Sequence, residues 1–203
     1  MKKLIAMGLT VIMTAVAVCG CGSSDSGNDA KKSDSQTKQQ AVKVIDVDLT
    51  SEEYAFGVDK NKPELLTQVN DFIKEIKDNG TFDEICNKYF GGGNPTPVKS
   101  EKLDTSKDQL LVATNASFEP FEYMKGDSYY GIDMEIAAAL AKKLNKELVI
   151  QNMEFDSVCL SVGQHKSDVA MAGLTVKEDR KKYVNFSDTY YTPHISSFLY
   201  LHK

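Results

Sequence analysis

Apolar and polar positions along the chain follow two periods, one of two residues and one of three to four. Residues 43–49 (Lys-Val-Ile-Asp-Val-Asp-Leu) alternate, and the alternation predicts a strand. Tyr54 to Val58 reads as a second strand. Pro63 then opens a helix, because its fixed φ and missing N–H suit a first turn. Leu65, Leu66, Val69, Phe72, Ile73 and Ile76 share one face of that helix. Asn79-Gly80 is its stop signal. Thr81 with Glu84 predicts a capping box for the next helix, whose apolar stripe is Phe82, Ile85, Cys86 and Tyr89. Gly91-Gly92-Gly93 ends it. Residues 91–108, with three Gly and two Pro, read as a linker without a core element.

A second run of elements follows. Leu110–Thr114, Leu148–Ile150 and Asp168–Ala172 are short apolar strands. Between them, Asp133 is a candidate cap for a helix that buries Ile136, Ala137, Leu140 and Leu144. Asp156 is a candidate cap for a helix that buries Val158, Cys159 and Val162. Thr175 with Glu178 reads as a second capping box. Strand and helix in strict alternation predict an α/β fold with parallel strands.

The amino end changes the picture. Met1-Lys2-Lys3 precedes an apolar run from Leu4 to Val18, long enough for a signal-peptide core and short for a membrane span. Val18-Cys19-Gly20-Cys21 resembles the lipobox of bacterial lipoproteins, which implies cleavage before Cys21 and a lipid on its sulfur. Ordinary secretion with two free thiols is the alternative, and Cys19 as the lipid site fits less well because Val18 is bulky. Gly22 to Gln40 is almost free of apolar side chains and reads as a flexible tether. The expected organisation is a leader at 1–20, a tether at 21–42, folded segments at 43–92 and 108–203, and a linker at 93–107. A net charge of −5 argues against a nucleic-acid partner.

Chemistry concentrates after the strands, where open α/β sheets bind ligands. Asn115 to Tyr123 is a long polar and aromatic loop. Gly173 to Arg180 places a predicted helix N-terminus, a hydroxyl at Thr175 and a planar guanidinium at Arg180 in one stretch, a set matched to a carboxylate. The plainer reading is that Thr175 only caps and Arg180 is a solvated helix charge. His165, His194 and His202 lack metal-ligand spacing. No nucleophile–base arrangement, phosphate loop or paired-carboxylate site stands out. Neither metal, cofactor nor enzyme activity is expected. Cys86 and Cys159 read as small core residues, with a disulfide open only if their helices pack side by side.

The stretch 108–191 resembles the start of a type II periplasmic amino-acid-binding protein, of the extracellular solute-binding family 3 that serves ABC importers. The matching pieces are Thr114–Tyr123, Gly131–Ala137, Glu154-Phe155-Asp156, Asp168–Arg180 and Val184–Tyr191. The stretch 43–92 resembles the family's end, through Leu49–Val58 and Asp78–Phe90. The order is inverted and the second lobe of the family is missing. This implies one lobe of a type II periplasmic-binding-protein fold in circularly permuted order. Tyr190–Pro193 and Glu52–Ala55 resemble the two hinge segments. Residues 43–49 and 196–201 would then be strand stubs able to pair as a ribbon.

The resemblance implies a substrate-binding component of an amino-acid ABC transporter. It would be exported, lipid-anchored on the outer side of the cytoplasmic membrane, and presented to an ABC permease. Arg180, Thr175 and the backbone at Gly173 would take the ligand's α-carboxylate. Phe118 and Phe155 match rings that sandwich the ligand side chain; core packing is their plainer role. Asn115 stands where binders of basic amino acids often carry Asp, which leans toward a neutral or polar L-amino acid. Phe121 and Tyr123 are packing residues. A half-cleft implies weak binding, or self-association that completes it. The competing reading is a non-transport lipoprotein, either an interaction module or an inactive rearranged fragment.

Overall fold

The computed structural model describes residues 42–48, 52–193 and 196–200, the first and last of these as backbone strands only. Cys21, the leader, most of the tether, His194 and His202 lie outside the described residues. Five strands make the central sheet, in the order β7 (Glu147–Asn152), β3 (Gln109–Thr114), β8 (Val169–Ala170), β2 (Gly57–Asp59) and β9 (Val184–Phe186). β3 runs parallel to β7 and β8. β2 runs antiparallel to β8 and β9, so the sheet is mixed rather than wholly parallel. Because β2 sits between β8 and β9, both sequence segments build one sheet. A small antiparallel sheet of β4 (Ser117–Phe118), β5 (Glu122–Lys125) and β6 (Ser128–Tyr130) follows β3. The expected ribbon forms: β1 (Val42–Asp48) pairs antiparallel with β10 (Ser196–Tyr200).

Side chains alternate across each strand, and the two faces differ. Leu110, Val112, Ile150, Val169 and Met171 face one core, covered by α1 (Pro63–Asp78), α2 (Thr81–Phe90) and α3 (Ile132–Lys143). Ala113, Ala170 and Ala172 face the other, covered by α4 (Phe155–Gly163) through Val158, Cys159 and Val162. Helix α1 begins at Pro63 and buries Leu65, Val69, Phe72, Ile73 and Ile76, as the periodicity predicts. Cys86 packs on the first core and Cys159 in the second, and both are free thiols, so the disulfide alternative fails.

Several local expectations are overturned by pairings distant in sequence. No helix forms after Thr175. The segment is held extended instead, by Ala55 N–H on the Leu174 carbonyl at 3.0 Å and Val176 N–H on the Glu53 carbonyl at 3.1 Å. Residues 178–183 form only turns. The Thr81–Glu84 box does not form either, because Gly80 at φ 82° takes the cap position and Asn79 Oδ1 accepts the Thr81 N–H. Asp133 and Asp156 lie inside the first turns of α3 and α4, not at their caps. Residues 93–107 contain no helix or β-strand, yet Val98 is buried in the larger core and bridges to Tyr129. Thr96 N–H and Tyr89 O–H both donate to the buried Glu135 carboxylate, and Lys88 pairs with it, which ties α2 and this segment to α3.

The two hinge-like segments lie side by side. Tyr54 N–H donates to the Tyr191 carbonyl at 2.8 Å, and Tyr190 N–H donates to the Tyr54 carbonyl at 2.9 Å. The Tyr190 ring stacks on Phe56 at 4.2 Å.

Candidate functional site

Because β7, β3 and β8 are parallel neighbours, their carboxyl ends deliver residues 153–155, 115–118 and 173–180 to one end of the sheet. Asn115 ties two of these loops together, its Nδ2 donating to the Met153 carbonyl at 2.8 Å. Asn152 Oδ1 accepts the Ala116 N–H at 2.9 Å. A depression of about 390 Å³ opens between Asn115, Ser117, Glu154 and Phe155.

The two candidate sandwich rings are not core residues. Phe118 is 44% exposed and Phe155 39% exposed, whereas Phe121 and Tyr123 are buried. Phe118 stacks on Phe121 at 5.6 Å. Its other neighbour is Gly173, which adopts φ 51°; a Cβ there would lie 3.0 Å from the Phe118 ring. Glycine is therefore required both for the left-handed backbone and for the approach of the ring. The Arg180 guanidinium lies 5.0 Å from the Phe155 ring centroid, and its Nη1 donates to the Thr175 carbonyl at 2.8 Å. The structure thus brings Asn115, Phe155, Arg180 and Thr175 into a chain of neighbours, with Gly173 and Phe118 paired beside them. No helix N-terminus contributes at Thr175. The Gly173 N–H points inward and donates to Asp133 Oδ2 at 2.9 Å, so it is already engaged.

Two buried acids beside the site, Asp133 and Glu122, were not read as site residues from the sequence. Asp133 is fully buried, and its second oxygen accepts the Tyr190 hydroxyl at 2.6 Å. Glu122 is also fully buried, and neither carboxylate oxygen has a hydrogen-bond partner. Burial, then the nearby Asp133, pushes the Glu122 carboxyl well above the usual range, so it keeps its proton. Burial also raises Asp133, while the Gly173 N–H and Tyr190 O–H bonds pull it back. The signal for Glu122 was available: an acid inside the aromatic run Phe121-Glu122-Tyr123. Burial holds the thiols of Cys86 and Cys159 near a pKa of about 11, so neither is a thiolate. Among the described residues no cluster of three or more His, Cys, Asp and Glu side chains has metal-binding geometry.

The sequence pattern of the bacterial extracellular solute-binding proteins, family 3, matches residues 10–92 and 110–200. The chain belongs to this family. Among its relatives is the arginine-binding extracellular protein ArtP of Bacillus subtilis (strain 168), 42% identical over 89 residues, which are 44% of this chain and 35% of ArtP. Cyclohexadienyl dehydratase of Pseudomonas aeruginosa is 29% identical over 82 residues, 40% of this chain and 31% of the enzyme. Most of the curated relatives carry the names of binding proteins, and this one carries the name of an enzyme. The arginine-bound form of domain 1 from TmArgBP is 37% identical, with a TM-score of 0.36 over 40% of this chain and 67% of that domain. The chain spans about a third of the length of the curated relatives it matches.

Proposed function

We propose that this chain is the solute-binding component of an amino-acid ABC transporter, with its ligand site at the carboxyl ends of β3, β7 and β8. The observation that carries the reading is the convergence there of Arg180, Thr175 and two exposed rings on Asn115 and Gly173. Arg180 keeps one fork of its guanidinium on the Thr175 carbonyl, and the other fork is assigned to the ligand's α-carboxylate. Phe118 and Phe155 flank the ligand side chain. For Phe155 to do so, the guanidinium that now lies over its ring must turn toward the carboxylate.

The rest of the reading concerns placement. A leader ending at residue 20, a lipid on Cys21 and a tether to residue 42 would hold the lobe on the outer side of the cytoplasmic membrane, beside an ABC permease. Residues 52–90 and 109–186 share one sheet, which supports a single lobe read in permuted order. One lobe offers half a cleft, so binding is weak unless a second copy completes it.

The ligand is an L-amino acid. The names of the relatives make L-arginine the first to try, and the neutral amide of Asn115 makes L-glutamine the second. Calorimetric titration of the purified chain with both, and with L-argininamide, tests the reading. Binding of either amino acid, with the amide form weaker by about 10-fold or more because it lacks the carboxylate, is the expected result. A cooperative melt with no binding of any common amino acid would favour the non-transport lipoprotein instead.

A further inference from the structure

The family reading leaves Asp133 without a role, although it is one of the most deeply buried charged side chains described. It sits in the first turn of α3, at 0% exposure. A buried carboxylate is costly unless hydrogen-bonded, and this one is bonded twice, to two segments far apart in sequence. One oxygen holds the Gly173 N–H at 2.9 Å; the other holds the Tyr190 hydroxyl at 2.6 Å. Gly173 begins the loop that ends at Arg180, and its backbone position sets where Phe118 can lie. Tyr190 belongs to the hinge pair, stacked on Phe56 and hydrogen-bonded to the Tyr54 backbone.

We infer that Asp133 is a positioning residue that couples the Gly173–Arg180 loop to the hinge strand at Tyr190, so that a displacement of either is transmitted to the other. The two bonds act through one small rigid group. Without the Tyr190 hydroxyl, the carboxylate loses the donor that fixes its rotation. It also loses a bond that stabilises its charged form, in a site where burial already disfavours that form. A carboxyl group that rotates or takes a proton is a poorer acceptor for the Gly173 amide. That residues 173–180 contact a ligand rests on the proposed function. The coupling itself is a property of the chain.

Amide hydrogen exchange, resolved by residue, tests the coupling on the purified chain. Tyr190→Phe removes one hydroxyl and keeps the stacked ring. Exchange at Gly173 should quicken by about 10-fold or more, although both Gly173 and Asp133 are untouched, while the amides of β3 and β7 keep wild-type protection. Asp133→Asn should quicken Gly173 as well. Unchanged exchange at Gly173 in Tyr190→Phe overturns the inference. So does a uniform rise across β3 and β7, which would mean general destabilisation. Titration with L-arginine and L-glutamine runs in parallel. If the chain binds neither and the exchange coupling is present, the ligand reading fails and the coupling stands. If it binds and the coupling is absent, the reverse holds.

Discussion

The two faces of the central sheet are packed differently. On one, three helices cover large side chains, and those helices come from both sequence segments: α1 and α2 from residues 63–90, α3 from residues 132–143. On the other, α4 alone covers a layer of alanines, Ala113, Ala170 and Ala172, whose small size lets the helix approach closely. The thick face holds the two segments together. The thin face carries Phe155 at the start of α4 and lies next to the turns that present Arg180. Phe155 and Arg180 thus lie on the opposite side of the sheet from the larger core, whereas Phe118 stacks on Phe121 of that core, and substitutions on the two sides should separate stability from the Arg180 part of the site.

The largest effect is expected from Phe72→Ala on α1, in the thick face. Phe72 is 6% exposed, and removing a buried ring costs about 3–5 kcal/mol through lost burial and the cavity left behind. Chemical denaturation would read this directly, and a loss below about 1 kcal/mol would mean that α1 is not an essential cover. Glu122→Gln comes next and has the opposite sign. Glu122 has its pKa raised above the ordinary 4.5 by burial, so the folded state keeps a proton that the unfolded chain releases. Its stabilising contribution is complete below pH 4.5 and declines as pH rises toward the folded pKa. The glutamine variant has no such decline. It should match the wild type near pH 4 and exceed it by a margin that grows steadily toward pH 8, with melts across that range as the measurement. Parallel pH profiles in the two proteins would remove Glu122 as the cause.

Val158→Ala probes the thin face. Two methyl groups leave a fully buried site, at a cost of about 2 kcal/mol. Because α4 positions Phe155, ligand affinity should fall along with stability. Loss of stability with affinity intact would detach α4 from the site.

The thick face was the more readable of the two. Its signal is local: α1 begins at Pro63, and its buried residues are those spaced three and four apart. The strands at Leu110–Thr114, Leu148–Ile150 and Asp168–Ala172 were also found, because such runs have no competing local pattern; β9 and the small sheet of β4, β5 and β6, which replaces the loop expected at 115–123, were not. What failed was decided by partners distant in sequence. Thr175 and Glu178 carry a helix-start pattern, yet Glu53 and Ala55 hold that stretch extended across the sheet. Val98 lies in a Pro- and Gly-rich stretch but fills a gap beside Tyr129. Asp133 looked like a cap because acids favour helix starts, and only the fold reveals Gly173 and Tyr190 on either side of it. For the site residues, the types were readable and the contacts were not. That Phe118 presses on Gly173, and that Arg180 covers Phe155, follows from how three strand ends converge.

Arg180→Ala should have the smallest effect on the fold and the most decisive one on the comparison. The guanidinium has one protein acceptor, the Thr175 carbonyl at 2.8 Å, and one aromatic neighbour, Phe155 at 5.0 Å. It is only partly buried, so these contacts compete with water, and their loss should cost under about 1 kcal/mol. In a domain of this size that shifts the melting temperature by a few degrees at most. Ligand affinity should fall far more, because the carboxylate loses its charged, forked donor. A variant that melts like the wild type and no longer binds would place the site on the thin side of the sheet and the stability on the other. A variant destabilised as strongly as Val158→Ala would instead make Arg180 a structural strut between Thr175 and α4, and the carboxylate would need another partner.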